Sequence, residues 1–430
     1  MKNLKKGTSS WRDLKGLARE EALRRGYAEN GGTYVKMGAQ YVATRNDIWM
    51  PVVFFSDLML AVFQLTAAGY FSVIDGDMEA ASECFHFITM ISNMMIITAN
   101  LIYYKNIFDD LFVATGSGFF DYGDSLDPQT KNEMEAYISN MKVKKRFRFR
   151  TFVLVVWTLG GSMLFKVALA YFRFGDRIDG EGGSVSRKHI VAQWFFGIDK
   201  WPNYIFMASV TYIAEVLVMT SVWGFVLPVI CFAEESTAQL NVIGLGLKRT
   251  SARARYVFTC RFGEYKSVHK LKYEQCVREV LRASVQHHNA VLDVCNEMRT
   301  LLNLPLMTVM FNTAVLLCMS GFVMIEDSVP IIAKIISLLF MIGEVIYSYI
   351  FCLYGEMMTS TSEEIGNQLY QDNWKEVSVV IKPYLAMIKM RSSKPIRLSA
   401  GGFMEVNEAA FSGIISSSYS YFNLMLTSKS

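Results

Sequence analysis

Charged residues and proline are scarce in this chain. Only 19% of its 430 residues are Asp, Glu, Lys or Arg, eight are proline, and 52% are hydrophobic. A soluble domain carries about 25% charged residues, so the composition argues against a soluble protein. The first 15 residues are polar and basic, and they lack the apolar core of a secretory signal peptide.

The residue patterns of common enzyme sites are also missing. The five histidines have no Asp, Glu or Cys neighbours at metal-ligand spacing. The stretch GLGLK at 244–248 lacks the Gly-Lys-Ser/Thr end of a phosphate-binding loop. The net charge of +4 fits cytoplasmic loops beside anionic lipid rather than nucleic-acid binding. We therefore predict that the chain is not an enzyme and needs no cofactor or metal.

Long apolar runs are what the sequence has instead. A helix needs about 20 residues to cross about 30 Å of hydrocarbon. Seven segments come near that length: residues 48–72, 83–104, 149–172, 203–232, 303–325, 331–354 and 403–426. The composition and these runs predict an all-α, polytopic membrane protein with seven transmembrane helices.

The distribution of Lys and Arg predicts the orientation. These residues concentrate in 1–48, 105–148 and 233–302, whereas the loop 73–82 is acidic. Cationic loops stay on the cytoplasmic side. We therefore predict a cytoplasmic N-terminus and an extracellular C-terminus, which is the reverse of a G-protein-coupled receptor.

This topology divides the chain into six parts. They are a cytoplasmic N-terminal arm (1–47), transmembrane helices 1–4 with the ligand-binding part (48–232), a cytoplasmic helical segment (233–302), transmembrane helices 5 and 6 (303–354), a second cytoplasmic segment (355–402), and the last helix (403–430).

The cytoplasmic parts carry their own helical patterns. The apolar spacing in the arm fits a helix lying on the membrane or packed on the cytoplasmic bundle, and a loosely ordered arm is the alternative. Apolar residues from Val277 to Val294 recur at helical spacing, which predicts one helix running from the cytosol into the fifth span. We expect GLGLKRTSARAR before it to be a mobile break. After the sixth span we expect a break near Asp372 and a helix that is bent or broken at Pro383.

The last helix has a polar stripe along an apolar segment. Its members recur every three or four residues and fall within about 80° of arc: Ser412, Ser416, Ser420, Asn423 and Thr427. An adjoining face holds Gly413, Ser417, Leu424 and Ser428. Small and hydroxyl residues on a membrane helix either allow close helix packing or face water in a pore. The spacing alone leaves both uses open.

Three stretches in the last third of the chain resemble the insect odorant receptor family. YSYIFCLYGEMMTSTSEEIGNQLYQDNWKE at 347–376 is similar to that family's sixth helix, through Tyr354-Gly355-Glu356, Ser360, Ser362 and Trp374. GGFMEVNEAAFSGIISSSYSYFNLML at 401–426 is similar to its seventh helix, and QHHNAVLDVCNEMRTLLNLPLM at 286–307 to the segment entering its fifth.

The resemblance implies a ligand-gated, non-selective cation channel of four subunits in the plasma membrane. In that family the seventh helices surround the pore, and the cytoplasmic helices form an anchor between subunits. Matching the ends of the last helix places a hydrophobic gate at Leu424 and the pore mouth at Thr427 and Ser428. Ser417 shares the Leu424 face, whereas Asn423 lies on the other stripe.

The resemblance also implies partners. The segment 233–302 is too short for the loop insertion of the family's co-receptor, so the chain is similar to a ligand-specific subunit. Such a subunit would assemble with the co-receptor or with itself, contact membrane lipid, bind a small volatile and pass cations.

The family's pocket residues cannot be aligned onto the first four helices, so depth and chemistry select the candidates. Aromatic and Met side chains suit small apolar ligands. Glu344 would matter most for an amine or alcohol. The expected ligand-binding residues are His86, Phe87, Met90, Trp157, Met163, Met207, Thr211, Tyr212, Phe340, Glu344 and Tyr347.

Three other functions compete with this one. A gustatory-type receptor would share the architecture and open with a sugar or a bitter compound. A metabotropic seven-helix receptor would require an external N-terminus. A transporter is disfavoured because the sequence shows no inverted repeat.

Overall fold

The structure is a computed structural model. It describes residues 9–30, 49–175, 201–264, 269–326, 329, 331–372 and 378–429. Within these ranges, the side chains of 78–79, 155–175, 201–205, 207–208, 332–333, 336, 378, 425 and 428–429 are not described.

The described part is built from helices and two short strand pairs. The helices are α1 (Gly16–Glu29), α2 (Trp49–Ile74), α3 (Met78–Tyr103), α4 (Lys105–Ser117), α5 (Pro128–Gly175), α6 (Trp201–Lys248), α7 (Thr250–Phe262), α8 (Lys270–Ile325), α9 (Ile331–Gln368), α10 (Ser378–Ser392) and α11 (Glu408–Lys429). Strand β1 (Ser9–Ser10) pairs antiparallel with β2 (Phe120–Asp121), and β3 (Ser399–Ala400) with β4 (Met404–Glu405).

Several helices are much longer than a bilayer is thick. In the part that the structure describes, five helices are long and apolar enough to cross a membrane, namely α2, α3, α6, α8 and α9. α8 has 56 residues, which corresponds to about 84 Å at about 1.5 Å per residue. The prediction that one helix continues from residues 277–294 into the apolar segment 303–325 is therefore confirmed. Such lengths build a helical layer beyond the hydrocarbon.

A proline inside α8 is compensated by a neighbouring helix. Pro305 has no N–H, so the carbonyl of Leu301 loses its partner within the helix. Asn100 of α3 donates its amide N–H to that carbonyl at 2.8 Å. Asn100 is buried, and its hydrogen bond explains how α8 continues through the proline.

The stretch GLGLKRTSARAR is not a mobile break, and that prediction was wrong. α6 continues to Lys248 and α7 begins at Thr250, so only Arg249 separates them. Its glycines serve close packing, because a Cβ on Gly246 would lie 2.9 Å from the guanidinium of Arg253. Arg253 is fully buried and donates to the Gly246 carbonyl at 3.1 Å and to Ser284 at 3.0 Å.

Two other predicted helices also differ from the structure, one at its start and one at an internal proline. The last helix begins at Glu408, not near 403, because β4 occupies residues 404–405 and Gly401 and Gly402 adopt positive φ angles of 65° and 79°. Asn407 caps the helix by accepting from the Ala410 N–H at 2.8 Å. α10 runs through Pro383 without a break.

The described part of the N-terminal arm packs on α4 and α8. Trp11 is buried and donates its indole N–H to the Ala290 carbonyl of α8 at 3.3 Å. α1 crosses α4 so closely that a Cβ on Gly26 would lie 2.0 Å from the Phe112 carbonyl oxygen. Between the two positions predicted for this helix, the structure therefore favours packing on the bundle.

Candidate functional site

One face of α11 packs against α8 and α9 of the same chain. Ser418 is buried, and its hydroxyl donates to the Ala314 carbonyl of α8 at 3.4 Å. The Phe422 ring fills the space over Gly321, where a Cβ would lie 2.8 Å from the ring. Phe411 contacts the Tyr349 ring of α9 with centroids 5.1 Å apart. This face fixes which side of α11 is turned away from the bundle.

Three of the predicted pore residues, Ser417, Leu424 and Thr427, lie on the side that is turned away. Leu424 is 66% exposed. Ser417 and Thr427 are exposed and Asn423 is half-buried, whereas the Ser428 side chain lies outside the described part. Thr427 donates its hydroxyl to the Leu424 carbonyl at 2.9 Å. Within one subunit, therefore, the hydroxyl stripe and the Leu424 face are both open.

The base of α11 is held by the sixth-helix stretch that carries the resemblance. A Cβ on Gly355 of α9 would lie 2.0 Å from the Val406 carbonyl oxygen, two residues before α11 begins. The neighbouring Tyr354 donates its hydroxyl to Glu234 of α6 at 2.6 Å. Glu234 is 2% exposed and also accepts from Arg148 of α5 at 2.5 Å. The Tyr-Gly pair thus joins α5, α6 and α9 to the entry of the last helix.

Three of the predicted ligand-binding residues meet in the bundle. The rings of His86 and Phe340 have centroids 4.8 Å apart, and those of Phe87 and Phe340 6.3 Å apart. These residues lie eight to nine positions from the first residues of α3 and α9, at a depth of about 13 Å in a straight helix. The structure therefore brings an aromatic cluster together between these two helices.

A polar contact between α2 and α6 lies at a similar depth to the aromatic cluster. Thr211 of α6 donates its hydroxyl to Gln64 of α2 at 3.1 Å, and Gln64 is 1% exposed. The Gln64 amide nitrogen has no hydrogen-bond partner among the described residues. Sequence reasoning missed Gln64, although an amide inside an apolar run was a usable signal.

The remaining candidates are dispersed. Tyr347 contacts the Phe351 ring at 5.3 Å, and its buried hydroxyl has no hydrogen-bond partner in the described part of the chain. Met90 and Glu344 are half-buried, and Tyr212 is 49% exposed on the outer surface of α6. The side chains of Trp157, Met163 and Met207 lie outside the described residues.

A family model for the 7tm odorant receptor matches residues 117–419. The chain belongs to this family. This membership confirms the predicted resemblance, and with it the prediction that the chain is not an enzyme.

Individual relatives among the odorant receptors are distant in sequence. Putative odorant receptor 85d of Drosophila melanogaster is 24% identical over 149 residues, which are 35% of this chain and 36% of the relative. Odorant receptor 67c of the same fly is 26% identical over 155 residues, 35% of this chain and 37% of the relative. The chain therefore spans little more than a third of the length of these curated relatives.

The fold comparison covers nearly the whole odorant receptor. Olfactory receptor OR5 from Machilis hrabei, solved in complex with eugenol, has a TM-score of 0.70 over 95% of this chain and 98% of that one. The sequence identity is 11%, so this likeness concerns the fold. It confirms the prediction of an all-helical membrane protein.

Proposed function

We propose that this chain is a subunit of an odorant-gated, non-selective cation channel that acts in smell at the plasma membrane. The open arc of α11 carries the proposal. One face of this helix is packed on α8 and α9, while Leu424 and several hydroxyls remain exposed and Asn423 is half-buried. A helix with this distribution suits a position between its own subunit and a water-filled path.

The proposed assembly has four subunits, with an α11 from each around a central pore. Seven spans place the N-terminus in the cytoplasm and the C-terminus outside. The partners are the odorant co-receptor or further copies of this chain. The cytoplasmic helices between the spans form the anchor where subunits meet, and membrane lipid surrounds the outer helices.

The proposed ligand is a small volatile that binds among the helices around His86, Phe87 and Phe340. Met90, Trp157, Met163, Met207, Thr211, Tyr212, Glu344 and Tyr347 are the further candidates for this cavity. Aromatic rings and Met side chains favour such ligands by shape and dispersion. Eugenol, which is bound in the Machilis receptor, is a reasonable first member of a test panel.

A path from ligand to gate follows α9. Phe340 lies in the aromatic cluster, and farther along the same helix Gly355 touches the backbone that leads into α11. A ligand that prefers one position of α9 would shift the closed–open equilibrium. We infer that this motion moves α11 and widens a ring of Leu424 side chains, which closes the pore by excluding water. Thr427 and Ser428 would line the mouth of the pore. Ser417, which shares the Leu424 face, would line the pore deeper in the membrane.

Whole-cell current tests the proposed function. The chain is expressed alone, or with an insect odorant co-receptor, and exposed to volatiles, sugars and bitter compounds. We expect a volatile-evoked cation current in at least one of the two conditions. A response to sugars or bitter compounds but to no volatile would favour a gustatory-type channel.

Orientation is tested separately with an epitope tag at Met1. We expect antibody staining only after the cells are permeabilised. Staining of intact cells would reverse the topology and favour a metabotropic receptor.

A further inference from the structure

A run of cations on α5 lies directly before the predicted third span. The sequence KVKKRFRFR covers residues 142–150, and the predicted span is 149–172. The structure continues α5 through both without interruption. Six cations therefore lie in the middle of α5, directly before the predicted span, and they divide into two groups of three.

One group faces inward and is used by the fold. Lys142 pairs with Glu29 at 2.7 Å, and Arg148 pairs with Glu234 at 2.5 Å. Lys145 pairs with Glu235 and donates to Asn30. Burial opposes the charge of Lys145, yet the contact with Glu235 outweighs it and raises the pKa of the amine. These three cations recur every third residue, so they share about 120° of the helix.

The other group faces outward. Lys144, Arg146 and Arg150 are exposed, and they form no ion pair within the described part of the chain. Between them, Val143 is 63% and Phe147 is 73% exposed. At about 100° per residue, Val143 and Phe147 point almost opposite to Lys145, and the three cations flank them. The outward face thus combines an aromatic and an aliphatic side chain with three free positive charges.

We propose that this outward face binds a polyanionic lipid headgroup, of the phosphoinositide class, in the cytoplasmic leaflet. Lys144 lies five residues, or about 8 Å along the helix, before the predicted span, and Arg150 lies at its edge. The cations are therefore at the depth of lipid phosphates. Basic clusters directly cytoplasmic of a membrane helix attract such lipids, and an exposed aromatic ring sits well at the headgroup boundary.

Charge complementarity selects lipid over a second copy of the chain as the occupant. Two copies meeting through this face would bring six cations together, and burial of unpaired cations is unfavourable. The proposal goes beyond odorant gating and uses only the proposed topology, which the tag at Met1 tests independently.

The test measures lipid binding to the purified full-length receptor. Dioctanoyl phosphatidylinositol 4,5-bisphosphate is titrated by thermophoresis against the wild type and the triple variant K144Q/R146Q/R150Q. The matched control K270Q/R278Q/R282Q removes three exposed cations from the start of α8. We expect the α5 variant to weaken binding on the order of 100-fold, the control to weaken it less than about threefold, and dioctanoyl phosphatidylcholine not to bind. Equal loss in both triples, or none in the α5 variant, would overturn the proposal.

Two further measurements separate lipid from other occupants. F147A should weaken binding of the lipid but not of soluble inositol 1,4,5-trisphosphate, because only the lipid has acyl chains that the Phe147 ring can contact. If both probes respond equally to F147A, the site is not a lipid site. Light scattering should give the same oligomer mass for the wild type and the α5 triple variant. A smaller assembly for the variant would show that this face joins subunits.

Discussion

The first half of α8 and the last helix, α11, differ sharply in how much of their surface the rest of the chain buries. Val277, Val280, Val291 and Val294 of α8 are 0% exposed. In α11, Ser418 is the one buried residue among the described side chains, and Leu424 is 66% exposed. The first half of α8 is thus covered within the chain, whereas α11 leaves one face open.

The largest loss of stability is expected at Gly355 of α9, which contacts the backbone that leads into α11. G355A places a Cβ 2.0 Å from the Val406 carbonyl oxygen. Because this oxygen belongs to the backbone, relieving the clash requires the chain to shift, which costs free energy. We expect a loss of about 3 kcal/mol or more in the free energy of unfolding, seen as little monodisperse receptor in fluorescence-detected chromatography. G413A is the control, because no atom lies within 4 Å of its added Cβ. If G355A behaves like G413A, the close approach of α9 to the base of α11 is wrong.

A smaller loss of stability is expected when Glu234 loses one of its hydrogen-bond donors. Y354F removes the hydroxyl that donates to this buried carboxylate at 2.6 Å. Hydrogen bonds to charged groups contribute about 1.5–3 kcal/mol, so the thermal transition of the purified receptor should fall. Y421F changes a tyrosine that is 62% exposed and should leave the transition unchanged. Equal transition temperatures for Y354F and the wild type would mean that the hydrogen bond from Tyr354 to Glu234 does not stabilise the fold.

The proline in α8 allows a test by rescue. N100A leaves the Leu301 carbonyl without its 2.8 Å partner, which should lower the free energy of unfolding by about 1–2 kcal/mol. Adding P305A supplies a backbone N–H at the position that can donate to Leu301. We expect N100A/P305A to be more stable than N100A in the same thermal measurement. No recovery would mean that Asn100 does not substitute for the proline's missing donor.

The smallest effect is expected on the open face of α11. Ser420 is exposed and bonds only to the Ser416 carbonyl of its own helix, among the contacts described. S420A should therefore change the free energy of unfolding by less than about 0.5 kcal/mol. S418A, which loses the contact with Ala314, should destabilise by about 1 kcal/mol. A larger effect for S420A than for S418A would reverse the assignment of the two faces.

Much of the fold could be predicted from residue pattern alone. The apolar rhythm from Val277 to Val294 predicts the buried face of α8, because a helix returns to the same side every three to four residues. The predicted break at the glycines of GLGLKRTSARAR is wrong. Gly244 and Gly246 lie inside α6, where Gln368 and Arg253 pack against them. Gln368 is distant in sequence, and although Arg253 is only seven residues from Gly246, spacing does not show that its side chain folds back onto that glycine.

The site could be predicted only in part for the same reason. The stripe on α11 is local, so spacing identifies it, although spacing does not say which face is packed. The packed face depends on Gly321 and Ala314 of α8, about 100 residues earlier. Gln64 and Glu234 were missed because their partners, Thr211 and Tyr354, come from other helices.

The central claim, that the open face of α11 lines an ion path, is tested by cysteine substitution. L424C and S418C are expressed with the co-receptor, and a membrane-impermeant methanethiosulfonate cation is applied outside during an odour-evoked current. We predict that the L424C current changes strongly and irreversibly, while the S418C and wild-type currents do not. Modification that alters S418C current but leaves L424C current unchanged would contradict it.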